Sequence, residues 1–100
     1  MTPVGETDAA PKWRIDDDAA WTGSAERVIV LALADPDATP IALEGSASAV
    51  WETLSTQGPV STLGISRVLA EDFGVEAEEI VADVEDLLVD LRARRVVARD

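Results

Sequence analysis

The chain has 100 residues, 47% of them hydrophobic and 28% charged, with 20 acids against 8 bases for a formal charge of −12. That length supports one domain around one core, and the apolar content is too high for a disordered chain. Cysteine and histidine are both absent, which excludes disulfides, thiolate nucleophiles, imidazole bases and most transition-metal sites, and the negative charge gives phosphate backbones no general attraction.

Residues 1–12, MTPVGETDAAPK, mix Pro, Gly, Thr and acids without an apolar period and lack the basic start and apolar run of a signal peptide. They are read as a flexible tail ahead of a domain over residues 13–100. The longest apolar run, 28–34, has seven residues, far short of the roughly 18 to 20 that cross a bilayer, so a soluble, cytoplasmic protein is expected.

Trp13, Ile15 and Trp21 bracket the triplet Asp16, Asp17 and Asp18, which fits a short strand, a turn and room for a second short strand. The run VIVLALA opens with β-branched residues and stops at Asp35-Pro36-Asp37, a strand followed by a turn. Residues 39–44 set Ile41 and Leu43 two apart, and Pro40 confines this strand to a sheet edge or a strand start.

Helical spacing begins after Gly45, with Ala47, Val50, Trp51 and Leu54 on one stripe, Ser46 as the candidate N-cap, and Gly58-Pro59 as the stop. Ser61 or Thr62 caps a second helix carrying Ile65, Val68, Leu69 and Phe73, closed by Gly74. A third helix runs from about Glu76 to Arg94, with Ile80, Val84, Leu87 and Leu91 within about 60° of arc, before Val96-Val97 ends the domain. Two or three strands followed by three helices make an α+β domain in which a small antiparallel sheet packs beside a helical trio.

The strand RVIVLALA, then LEGSASAVWETL, GP, LAEDFGV and EEIVADVEDLLVDLRARRVV follow one another in an order that resembles the PqqD-like family, over about residues 27–98. Leu43, Gly45 and Ala47 precede the aliphatic-Trp pair Val50-Trp51, and the acidic-aliphatic pair Asp83-Val84 lies inside the last helix. The resemblance implies a winged-helix-like fold with a three-stranded antiparallel sheet and three helices. It also implies a non-catalytic recognition element that binds the leader of a ribosomally made precursor peptide and presents it to a modifying enzyme, a protease or tailoring enzyme, without a cofactor or metal.

The mode that the resemblance implies is strand addition on the open edge of the third strand, with the ligand's apolar side chains in a groove beside the third helix. Here the edge would be residues 39–44, with Thr39 at its start and the backbone groups of Ile41, Ala42 and Leu43 as pairing atoms; Pro40 lacks an N–H and shortens the ladder. A second stripe on the last helix, Val81, Glu85, Leu88 and Arg92, is read as the groove wall. On this reading Leu88→Glu weakens ligand binding and leaves the helix content unchanged. The plain alternatives are an edge that only finishes the sheet, and Val81 and Leu88 packed on the sheet or the first helix.

Other functions fit less well. A winged-helix regulator would present a recognition helix that, between Glu76 and Leu91, holds seven acids and no base, so every DNA phosphate would repel it. An acyl carrier protein needs a Ser directly after Asp at a helix start, whereas Ser61 follows Val60 and Ser66 follows Ile65, and the strand RVIVLALA has no place in a helix bundle. Catalysis would rest on carboxylates, and adjacent pairs such as Glu78-Glu79 and Glu85-Asp86 diverge by about 100° on a helix. A general protein-interaction domain that docks a partner enzyme would look the same in sequence.

Overall fold

The computed structural model describes residues 11–24 and 26–100. Most of the expected tail therefore lies outside the described residues, although Lys12 already belongs to a strand. The elements are β1 (Lys12–Ile15), β2 (Ala19–Gly23), β3 (Arg27–Ala32), β4 (Ile41–Glu44), α1 (Ser46–Gln57), β5 (Val60–Ser61), α2 (Thr62–Phe73), α3 (Ala77–Ala93) and β6 (Val97–Arg99).

The expected three-stranded antiparallel sheet is present, in the order β2-β3-β4. Along β3 the side chains of Val28, Val30 and Ala32 are buried while Ile29 and Leu31 between them are half-buried, the period of two that puts alternate residues on opposite faces. Opposite them, Trp21 pairs with Val30 from β2, and Leu43 pairs with Val28 from β4. The acidic triplet makes the expected turn: the Asp18 N–H donates to Asp16 Oδ1 at 2.9 Å, and the Ala19 N–H to the Asp16 carbonyl at 3.0 Å. Short Asp side chains that bond the backbone two residues on favour this conformation.

A second sheet, ordered β5-β1-β6, was not expected. β1 does not pair with β2 across the acidic turn. It lies between β5, with Trp13 opposite Val60, and β6, with Trp13 also opposite Arg99. Chain ends and a helix-to-helix link supply these strands, and pairs so distant in sequence leave no local pattern.

The core joins both sheets to the helices. Trp13, Val30, Trp51, Ile65, Leu88 and Val96 are all within 1% of fully enclosed, each burial contributing about 1.5–3 kcal/mol or more. Buried Ser48 and Ser66 bond carbonyls of their own turns, Gly45 at 2.9 Å and Thr62 at 2.8 Å, so their small side chains let neighbouring elements approach without an unpaired hydroxyl.

The helix ends follow the sequence with two differences. Ser61 caps α2, its Oγ accepting from the Gly64 N–H at 3.0 Å, and Gly74 closes α2 in the left-handed region. The residue before α1 is Gly45 at φ 62°, so Ser46 is the first helical residue and not its N-cap. α3 ends in the same way as α2 but with Arg95 at φ 66°, the Val96 N–H reaching the Leu91 carbonyl at 3.1 Å and the Arg95 N–H reaching Arg92 at 3.0 Å. These two hydrogen bonds satisfy two of the last carbonyls and drop Val96 into the core, at the cost of a Cβ in a crowded backbone conformation. Arg95→Gly is expected to stabilise the domain by about 1 kcal/mol, seen as a rise of roughly 4–8 °C in the melting midpoint by circular dichroism.

Candidate functional site

β4 is an outer strand of its sheet, and the hydrogen-bond parity of the ladder decides which of its backbone groups face outward. Ser24 donates to the Arg27 carbonyl at 2.9 Å and Leu33 to the Asp18 carbonyl at 2.8 Å, on the two ends of a β2–β3 register that runs without a bulge. Bonded and non-bonded pairs alternate in an antiparallel ladder. Ile29 and Leu31 therefore turn their backbone groups toward β2, and Val28 and Val30 turn theirs toward β4, opposite Leu43 and Ile41.

The backbone groups of Ile41 and Leu43 are thus engaged by β3, and those of Ala42 and Glu44 point out from the edge. This corrects the expectation that Ile41, Ala42 and Leu43 all present pairing atoms: successive residues of a strand alternate, so three in a row cannot. The side chains of Ile41 and Leu43 pack on the inner face, Leu43 buried. Thr39 precedes the strand and is exposed. Glu44 meets Arg27 across the outer face at 3.3 Å, both more than 60% exposed, a pair worth little to stability.

α3 passes this edge in the opposite direction. Near its C-terminus, Ala93 and Arg94 share a depression of about 290 Å³ with Thr39 and Ile41. Toward its N-terminus, Ile80, Asp83 and Leu87 share an apolar depression of about 100 Å³ with Ser46, Leu69 and Phe73, at the junction of the three helices. Residues 80 to 94 cover about 21 Å of helix, enough to lie alongside the whole of β4. The Asp90 carboxylate holds Arg94 at 3.1 Å on this side.

The stripe read as the groove wall faces elsewhere. The Trp13 indole Nε1–H donates to Thr62 Oγ1 at 2.9 Å, the Thr62 hydroxyl donates to Glu85 Oε1, and Arg99 Nη2 lies 3.5 Å from Glu85 Oε2. The Arg99 guanidinium in turn sits 4.5 Å from the centre of the Trp13 ring, within cation–π range. Arg92 lines a depression with Asp16, Arg95 and Arg99. Glu85 and Arg92 therefore look toward the β5-β1-β6 sheet. Val81, half-buried, lies one turn before Glu85 on the same row.

Leu88 on that stripe is completely enclosed and has no free surface to offer a ligand. Ile80 and Leu87, which with Asp83 line the depression reaching Ser46 past the end of β4, sit about 100° around the helix from Val81 and Leu88. Sequence periodicity marked Ile80 and Leu87 as core and Asp83 as solvated surface; the two apolar positions are half-buried, and that incomplete cover is the signal a periodicity argument cannot carry. Trp21 is 44% exposed and stands edge-on to the buried Trp51 ring, centroids 6.0 Å apart, while the Trp51 Nε1–H has no hydrogen-bond partner among the described residues.

A charge at Leu88 would be buried without a partner. Leu88→Glu is therefore expected to abolish the cooperative thermal transition, whereas Leu87→Ser at the groove should retain it with a loss of about 1–2 kcal/mol, both followed by circular dichroism.

The chain matches the family model of coenzyme PQQ synthesis protein D (PqqD) over residues 30–97. No curated protein matches it. A solved structure described as TbiB1 in complex with the TbiA(beta) leader peptide shares its fold, with a TM-score of 0.72 at 19% identity, covering 84% of this chain and 93% of that one. The family match begins inside β3 and runs through β4, all three helices and the start of β6, which are the elements that build the edge and the groove; the chain belongs to the PqqD family.

Proposed function

We propose that this protein is a peptide-binding recognition element without catalytic activity. The leader of a ribosomally made precursor adds as a strand to the free edge of β4, and the complex is presented in the cytoplasm to a modifying enzyme. The observation that carries this reading is the pairing of outward backbone groups at Ala42 and Glu44 with a partly covered apolar depression that opens at Ser46, just past the end of that strand. An unpaired strand edge is a template for another chain, and a groove beside it sorts ligands by their alternate side chains. The structure of similar fold is described as a complex with a leader peptide, which supports the class of ligand.

The proposed contacts are the backbone of Ala42 and Glu44, with Thr39 at one end of the added strand and Ile80, Asp83 and Leu87 beyond the other, past Ser46. A segment of about five residues, an ordinary strand length, would span the edge. The helix beside it carries acids at Glu79, Asp83, Asp86 and Asp90, an unfavourable surface for nucleic acid. Among the described residues no helix is long and apolar enough to cross a membrane.

A fluorescence-polarisation titration with labelled leaders of small precursors encoded beside this gene, against scrambled controls, is expected to give saturable, sequence-dependent binding. Failure of every intact leader would leave a general protein-interaction domain as the better reading. Ala42→Pro removes an outward N–H without touching the bonds to β3, and should weaken binding about tenfold while circular dichroism stays unchanged.

A further inference from the structure

The free edge of β4 ends at Gly45, where two depressions meet on either side of Phe73. One is the apolar junction pocket with Asp83 at its wall; the other, of about 410 Å³, is lined by Glu26, Glu52 and Asp72 around Ala49. Ser46 and Phe73 border both. Phe73 is 52% exposed, although its position on the apolar stripe of α2 would suit a core residue.

Each of the four carboxylates is free of ion pairs among the described residues. Arg27, the base nearest in sequence to Glu26, is held by Glu44. An exposed aromatic ring between an apolar pocket, with one uncompensated carboxylate at its wall, and a depression lined by three more suits one chemistry. That chemistry is a large apolar side chain with a Lys or Arg close by, because the pocket takes the first, and the carboxylates and the ring face both attract the second.

We propose that this corner selects leaders whose segment just beyond the added strand joins a bulky apolar residue to a basic one. The inference rests on the strand-addition reading and supplies its charge rule: the occupant continues from the Glu44 end of β4 across Phe73. Its basic residue is held at Glu52 and Asp72, and its apolar residue enters the pocket of Leu69, Ile80 and Leu87.

The test is a double-mutant cycle by fluorescence polarisation, using a neighbouring precursor's leader that binds the wild-type chain. One partner of the cycle is the double variant Glu52→Gln, Asp72→Asn; the other is the same leader with its Lys and Arg residues replaced by Gln. Each change alone is expected to raise Kd about fivefold, and the second change to add little once the first is made. Raising NaCl from about 50 to 500 mM should weaken the wild-type pair and leave the doubly altered pair nearly unmoved. A leader that binds with a Kd indifferent to both changes, or a tight-binding leader without a basic residue, overturns the charge rule and leaves strand addition standing. Absence of binding by every intact leader removes both.

Discussion

The orientation of α3 about its own axis decides what this protein can bind, and the Glu85 carboxylate fixes that orientation. Through Thr62 it reaches Trp13, and directly it reaches Arg99, which returns to the Trp13 ring. The loop ties together α2, α3, β1 and β6, so rotation of α3 would have to break both the hydrogen bond from Thr62 and the ion pair with Arg99, whose positions are in turn held by Trp13. Linked polar contacts of this kind specify a single arrangement better than apolar packing alone. With Glu85 and Leu88 turned to the small sheet and the core, Ile80, Asp83 and Leu87 are left at the junction of the helices, near Ser46 where the β4 edge ends.

The second sheet thus serves the first. β5, β1 and β6 hold no part of the edge, yet they cover one flank of α3 and take up apolar surface that would otherwise compete for a ligand. The remaining flank is incompletely covered: Val84 and Leu91 are enclosed, while Ile80 and Leu87 stay half-buried. A free edge carries a risk of pairing between copies of the chain. Pro40 limits its length, and the net charge of −12 opposes the approach of a second copy. The same charge favours basic ligands.

The three-stranded sheet, the three helices and the Gly74 stop were legible in the sequence because each rests on neighbours a few residues apart. The short apolar run 28–34 that opens with β-branched residues, the helical stripe from Ala47 to Leu54 and the acidic turn at 16–18 are local patterns with local causes. So was the edge at 39–44, since Pro40 cannot donate to a ladder. The small sheet was not legible: its strands are two to four residues long and are drawn from near both ends of the chain and from a helix-to-helix link, too short to show a period. Without it, periodicity assigns the row of Ile80 and Leu87 to the core and the row of Val81 and Leu88 to a groove wall, whereas Leu88 is enclosed and Ile80 and Leu87 stay half-buried.

The sequence by itself determined which residues belong on a common face of each element, because that follows from a fixed 3.6-residue or two-residue repeat. It also determined the excess of acid and the exclusion of thiol and imidazole chemistry. Tertiary structure alone decided which face meets which neighbour. The outward bonds of Ala42 and Glu44 depend on the parity of the β2–β3–β4 ladder, and the groove at Ile80, Asp83 and Leu87 depends on contacts from Trp13 and Arg99, more than 60 residues away from each of these in the first case and on the far side of the α3 terminus in the second. Contacts so distant in sequence are set by how whole elements share a core, which no local repeat encodes.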